Sequence, residues 1–149
     1  MTTAARLTDP TSVPWTEPPT AREILARIDE LGPGWRERRR ALDEAVEFPH
    51  ENFAEAKAAG LHALTLPTEY GGAGVWLPGR YSHWYEALER MAWWETNTAQ
   101  LLQVHNHAAG IIAWHSTPSQ RDYFLPVSYT HLRANETSLH LVCRLLLEK

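Results

Sequence analysis

Histidine is the residue type in this chain that most suggests metal chemistry, with eight copies. His105 and His107 stand two apart in a predicted helix, which separates them by about 200° around the axis and prevents them from binding one ion. Glu47 and His50 match the ExxH pattern, but Pro49 breaks the helix between them, and the second copy that a di-iron bundle requires is missing. No HExxH motif occurs. The sequence therefore predicts no metal site.

The residues do not indicate a nucleophilic or acid–base catalytic site either. The only cysteine, Cys143, excludes an intrachain disulfide and a cysteine-based zinc site. There is no GxSxG motif, and no pair of carboxylates stands out. The glycine-rich loop from Glu69 to Gly74 lacks both the GxGxxG spacing and a GK[ST] ending, so it predicts a turn with positive φ angles rather than a phosphate cradle.

Charge and hydropathy exclude two broad classes of partner. The net charge is −4 and no basic stripe appears, so we expect no nucleic-acid binding. No apolar run reaches the ~18 residues of a membrane span. The N-terminus has no apolar core of a signal peptide, which makes a cytoplasmic location the default expectation.

The first half of the chain predicts three helices. Thr20 and Glu23 form a capping box that opens a helix ending at Gly32-Pro33-Gly34. A second helix is predicted over 35–47 and a third over 50–59, followed by Gly60 in the left-handed conformation. The short apolar segment 61–67 is interpreted as a buried extended connection.

The second half predicts two long helices and a short one. Residues 79–95 carry an apolar stripe at helical spacing, formed by Tyr81, Trp84, Tyr85, Leu88, Met91 and Ala92. Residues 98–115 are apolar nearly all round, typical of a buried helix, yet include Gln100, Gln103, His105, Asn106 and His107. A second capping box, 117–120, opens a helix that ends at 123–126. Five to six helices without a hairpin predict an all-α fold.

Composition divides the chain into three segments. Residues 1–19 are rich in proline and predict a flexible, disordered lead-in, and residues 20–126 form the helical domain. In residues 127–149 tryptophan disappears, the only cysteine appears and the ending is rich in leucine. This segment resembles a translated sequencing-adaptor tail, so we expect it to be artefactual and non-native and exclude it from the fold prediction.

Residues 53–126 resemble the N-terminal helical domain of the acyl-CoA dehydrogenase family, and the resemblance extends less closely back to Thr20. The matching motifs are Ala59-Gly60-Leu61, Leu66-Pro67-Thr68-Glu69-Tyr70-Gly71-Gly72-Ala73-Gly74, Leu88-Glu89-Arg90-Met91-Ala92, Val104-His105-Asn106 and Tyr123-Phe124-Leu125-Pro126. The glycine loop at its distance from the Phe-Leu-Pro ending is the most specific of these.

The resemblance implies FAD-dependent α,β-desaturation of an acyl-CoA thioester, in which a glutamate removes the α-proton and the flavin accepts the β-hydride. It also implies a homotetramer and an electron-transfer flavoprotein as partner. In the family, the catalytic glutamate and most flavin contacts lie in a middle β-domain and a C-terminal helical bundle. No residue here matches them, so we expect a fragment that is inactive alone and does not hold FAD by itself.

The resemblance further implies that the buried helix before the Phe-Leu-Pro ending lines the acyl cavity. Aligning backwards from that ending places Ala99, Gln100, Gln103 and His107 on the wall, and their spacing keeps them on one helix face. Two glutamines and a histidine favour a short, branched, aromatic or polar acyl group. An alternative of equal weight is that the two glutamines and the histidine hydrogen-bond to neighbouring helices.

Other functions stay open at this stage. An acyl-CoA oxidase or a flavin monooxygenase uses the same scaffold and differs in residues outside this chain. A free-standing helical binding module without a cofactor is the alternative from another class.

Overall fold

The computed structural model describes residues 15–130, which form five α-helices and no strand. The helices are α1 (Ala21–Ala45), α2 (His50–Ala58), α3 (Tyr81–Trp94), α4 (Thr96–His115) and α5 (Pro118–Thr130), with 3₁₀ turns at Leu61–Ala63 and Thr68–Tyr70. The all-α prediction is confirmed over this range. None of these helices has the combination of length and apolar character needed to cross a membrane.

Helix α1 runs without a break through Pro33, so the predicted division into two helices at 32–34 is wrong. Proline costs about 3 kcal/mol and each glycine about 1 kcal/mol inside a helix. Packing along the whole helix outweighs this local cost, because Ile24, Ile28, Gly32 and Trp35 form one continuous buried face. The capping box at its start is present: Thr20 N donates to the Glu23 carboxylate at 2.7 Å, and Glu23 N donates back to the Thr20 hydroxyl.

The main core lies between α1, α3 and α4. Its buried side chains are Ile24, Ile28, Trp35, Phe53, Leu61, Leu64, Trp84, Ala87, Met91, Ala99 and Leu102, joined by Trp15, Ala56, Ala73 and Val75. The predicted stripe on α3 is partly wrong, since Tyr81 and Tyr85 are exposed and the small Ala87 faces the core. Aromatic residues at helical spacing therefore did not identify the buried face by themselves.

The connection after α2 is buried as predicted but is not extended. Gly60 adopts the left-handed conformation with φ 74°, and residues 61–63 form a 3₁₀ turn. The glycine loop behaves as predicted, with positive φ at Gly71 and Gly74. Its backbone lies along the preceding segment, with Gly74 N donating to Leu66 O at 2.8 Å and Val75 N to Leu64 O at 3.0 Å.

Helix α5 is longer than predicted, and packed structure begins before the first predicted helix. The capping box of α5 forms, with Thr117 N donating to Gln120 Oε1 at 2.9 Å, but the helix continues through Pro126 to Thr130. The predicted end at 123–126 is thus wrong. Trp15, assigned to the flexible lead-in, is buried and its indole donates to Gly60 O at 3.1 Å. Predictions for residues 1–14 and 131–149, including Cys143, lie outside the described residues.

Candidate functional site

Helix α4 begins on a buried carboxylate. Glu95 is 2% exposed, and its side chain accepts hydrogen bonds from Asn97 N at 2.9 Å and from Thr98 N at 2.6 Å. The Thr98 hydroxyl donates to the same carboxylate at 2.5 Å. A charged cap satisfies the free amide groups and favours the positive end of the helix dipole, so it fixes where α4 starts.

A chain of polar contacts ties this start to α1 and α2. The Asn52 amide donates to the Thr98 hydroxyl at 2.8 Å, and its oxygen accepts from Arg38 Nε at 2.7 Å. Arg38 also pairs with Glu55 at 2.5 Å. The position of α4 is therefore set by hydrogen bonds from both neighbouring helices.

Asn106 holds the middle of α4 against the segment that precedes the glycine loop. Its fully buried amide donates to Leu61 O and to Leu102 O, both at 3.0 Å. The Thr65 hydroxyl donates to the Asn106 carbonyl at 2.5 Å. For Asn106, hydrogen bonding to neighbouring elements thus explains a polar residue on an apolar helix.

His105 is buried beside His62, with ring centroids 6.2 Å apart. Desolvation by burial lowers the pKa of His105 to about 4, a hydrogen bond to the His62 backbone opposes the shift, and the charge of Lys57 adds to it. The imidazole is therefore neutral near pH 7. In the described residues, no three His, Cys, Asp or Glu side chains come together as a metal site.

The four residues predicted to line the acyl cavity lie on one arc of α4 but differ in exposure. Ala99 is 1% exposed and belongs to the core. Gln100 and His107 are exposed, and Gln103 is half-buried. The three polar residues form an open stripe that spans about 10 Å along the axis, and we call Gln100, Gln103 and His107 the polar stripe.

Each end of the polar stripe meets a different surface. Gln100 lies in an open groove of about 420 Å³, whose apolar lining includes Leu42, Phe48 and Leu101. At the other end, the His107 ring contacts the Trp76 indole edge-on, with centroids 5.3 Å apart and planes at 81°. Trp76 was not among the predicted site residues.

The indole of Trp76 reaches this place because α4 has a glycine there. A β-carbon on Gly110 would come within 2.7 Å of the Trp76 ring and 3.0 Å of Thr65 Cβ. A glycine inside a helix usually has a packing reason. Gly110 is therefore a sequence signal that another group packs closely against this face, although it does not identify that group as Trp76.

The glycine loop does not offer the phosphate cradle that a flavin dinucleotide would need. Its amide groups donate to nearby backbone carbonyls: Gly71 N to Thr68 O at 2.9 Å, Gly72 N to Pro67 O at 3.1 Å and Ala73 N to Ala63 O at 3.1 Å. Phosphate loops instead direct free amides at the ligand. The loop residues therefore do not fit the pyrophosphate of FAD.

The fold and the site together define an all-helical domain whose central helix presents a polar stripe at a partly open face. A family model described as acyl-CoA dehydrogenase, N-terminal domain, matches residues 20–130. The chain belongs to this family. No curated protein and no solved structure matches the chain itself.

Proposed function

We propose that this chain supplies one wall of the acyl site in a flavin-dependent oxidoreductase that desaturates an acyl-CoA thioester between its α and β carbons. The family match over residues 20–130 is the observation that carries the proposal. The wall is the polar stripe of α4, with Ala99 at its buried edge. The alignment that selected these residues and their arrangement on one arc support the same face.

The chemistry of the polar stripe favours an acyl group that is short, branched, aromatic or polar. Two carboxamides and an imidazole can donate and accept hydrogen bonds, whereas a long alkyl chain would leave these groups without partners once water is excluded. Within residues 15–130, Gln100, Gln103 and His107 make no hydrogen bond to neighbouring helices, in contrast to Asn106. Their polar atoms are therefore available to a ligand.

Exposed apolar side chains on α4 and α5 support a second protein surface packed against these two helices. Ile111 on α4 is 46% exposed, and Tyr123 and Phe124 on α5 are 69% and 46% exposed. Tyr123 and Phe124 pack edge-on against each other at 5.0 Å. Exposed pairs of large apolar side chains, such as Tyr123 and Phe124, are typical of surfaces that other protein covers.

In this proposal the flavin and the catalytic glutamate belong to parts of the enzyme beyond the described helices. The family implies FAD, a homotetramer and an electron-transfer flavoprotein as electron acceptor. The amides of the glycine loop are occupied by backbone carbonyls, which is consistent with a flavin held elsewhere. We therefore expect the purified 149-residue chain to show no flavin absorbance.

The proposal is tested by titrating the isotope-labelled chain with butanoyl-CoA and following backbone and side-chain amides by NMR. We expect the side-chain amides of Gln100 and Gln103 and the His107 ring to shift, while CoA alone leaves them unchanged. Binding at some other face, or the same shifts with CoA alone, would contradict the assigned wall. An absence of binding would favour a helical interaction module instead.

The acyl preference has its own test in Gln103→Leu. Replacing the carboxamide by an apolar group of similar size should lower the affinity for a hydroxylated short-chain thioester relative to butanoyl-CoA by about fivefold, the loss of one hydrogen bond. His115→Leu is the matched control, because His115 is an exposed polar residue of α4 outside the polar stripe. An unchanged ratio in Gln103→Leu would remove Gln103 from the wall.

A further inference from the structure

Trp76 packs closely on α4 although it follows a loop rich in glycine. The residue before it, Val75, is fully buried and its amide donates to Leu64 O at 3.0 Å. Its indole fills the space that a β-carbon on Gly110 would occupy and borders Thr65. Backbone pairing of the preceding residue and close packing on Gly110 place the ring against α4.

This position places the indole across one end of the polar stripe. The indole packs on Gly110, one turn beyond His107 on the same arc of α4, and contacts the His107 ring edge-on with the planes at 81°. A ligand lying along α4 from Gln100 therefore has about 10 Å before it meets the indole. At the Gln100 end the surface is open, as the groove lined by Leu42 and Phe48 shows.

We propose that Trp76 is a specificity-determining residue that closes the acyl wall at its His107 end and excludes long alkyl chains. The inference rests on the proposed function, because it assigns a substrate size to the same face. A chain that extends past His107 has to displace an indole packed on Gly110, whereas a short acyl group ends before it. The imidazole, oriented by the indole edge, stays free to hydrogen-bond the acyl terminus.

The test compares two thioesters on three forms of the full chain. Affinities for butanoyl-CoA and octanoyl-CoA are measured by NMR titration of the unaltered chain, Trp76→Ala and Trp93→Ala. We expect the unaltered chain to favour butanoyl-CoA by about tenfold and Trp76→Ala to lose this preference by gaining affinity for octanoyl-CoA. Trp93→Ala is the matched control, since Trp93 is an exposed tryptophan on α3 and should keep the original ratio.

Two results distinguish this inference from the proposed function. If both thioesters bind at the polar stripe and Trp76→Ala keeps the original ratio, Trp76 does not set the acyl length although the wall stands. If neither thioester shifts the signals of α4 in the unaltered chain, the wall itself is wrong and the inference with it. If Trp76→Ala does not fold, Trp76→Phe replaces it in the test. The smaller ring of phenylalanine should give a ratio of butanoyl-CoA to octanoyl-CoA affinity between those expected for the unaltered chain and for Trp76→Ala.

Discussion

The indole of Trp94 lies directly on Gly32, in the middle of helix α1. A β-carbon at position 32 would overlap the ring of Trp94. The indole nitrogen also donates to Asp29 Oδ1 at 2.9 Å, one turn earlier on the same helix. Gly32 is therefore the residue that lets α1 and α3 approach closely, and the helix tolerates its unfavourable propensity for this reason.

Two glycines of α1 should respond in opposite ways to alanine. Gly32→Ala should lower the free energy of unfolding by about 1–3 kcal/mol, because overpacking against Trp94 exceeds the gain in helix propensity. Gly34→Ala should raise it by up to about 1 kcal/mol, since only the flexible Arg38 side chain lies near, at 3.4 Å. Urea unfolding followed by circular dichroism measures both. A stabilising Gly32→Ala would contradict the close packing of the two helices.

Asn106→Ala should lower the free energy of unfolding by about 2–3 kcal/mol. The change removes buried hydrogen bonds to Leu61 O and Leu102 O and leaves these carbonyls without that donor. Asn97→Ala is the control, because the Asn97 amide bonds Asp43 on the surface and its loss should cost no more than about 0.5 kcal/mol. Similar losses for the two variants would show that Asn106 does not clamp α4.

The stability of the domain should fall when the pH is lowered from 6.5 to 4. The pKa of His105 in the folded chain is about 4, against 6.5 for the free side chain, because burial disfavours its charge. Within this window the unfolded chain binds a proton that the folded chain does not, so unfolding becomes more favourable by up to roughly 3 kcal/mol. Well above pH 6.5 the imidazole is neutral in both states, and His105 contributes no pH dependence.

Chemical unfolding at several pH values measures this effect. His105→Gln should flatten the dependence between pH 6.5 and 4, while His115→Gln, which alters an exposed histidine of the same helix, should retain it. A slope that persists unchanged in His105→Gln would mean that another group controls stability in this range.

Val46→Gly should stabilise the domain by about 1 kcal/mol. Val46 ends α1 in the left-handed conformation with φ 54° and ψ 43°, which is strained for a β-branched residue, and its side chain is 91% exposed. Val46→Ala keeps the penalty of a β-carbon and should gain less. Thermal unfolding measures the stability of the two variants. An equal gain in stability would show that the strained backbone conformation at position 46 is not the cause.

Structural features that depend on a few neighbouring residues could be predicted from the sequence. Features that depend on contacts between distant parts of the chain could not. The capping boxes at Thr20 and Thr117 and the left-handed Gly60 depend on local hydrogen bonds, and all three are present. The continuity of α1 depends on packing along its whole buried face, which includes contacts with residues far along the chain from Pro33, such as Trp94 on Gly32. No local pattern records such a contact, so the propensities of glycine and proline predicted a break.

The candidate site divides in the same way. Ala99, Gln100, Gln103 and His107 were named from the family resemblance, with helix spacing placing them on one face, and their role in binding stays a prediction. Trp76 could not be named, because it reaches α4 through contacts that are distant in the sequence, the pairing of Val75 with Leu64 and the packing of the indole on Gly110. Tyr81 and Tyr85 show the reverse case, since correct helical spacing does not by itself determine which face is buried.

The burial of Trp15 moves the practical start of the folding unit upstream of the family boundary. Its amide donates to Gly71 O at 3.0 Å, its indole donates to Gly60 O, and the Arg27 guanidinium covers the ring at 3.5 Å. A recombinant product that begins at Thr20 would keep every residue matched by the family model. It would lose the Trp15 side chain and backbone that connect Gly60 with Gly71. Expression boundaries for this domain should therefore be set before Trp15.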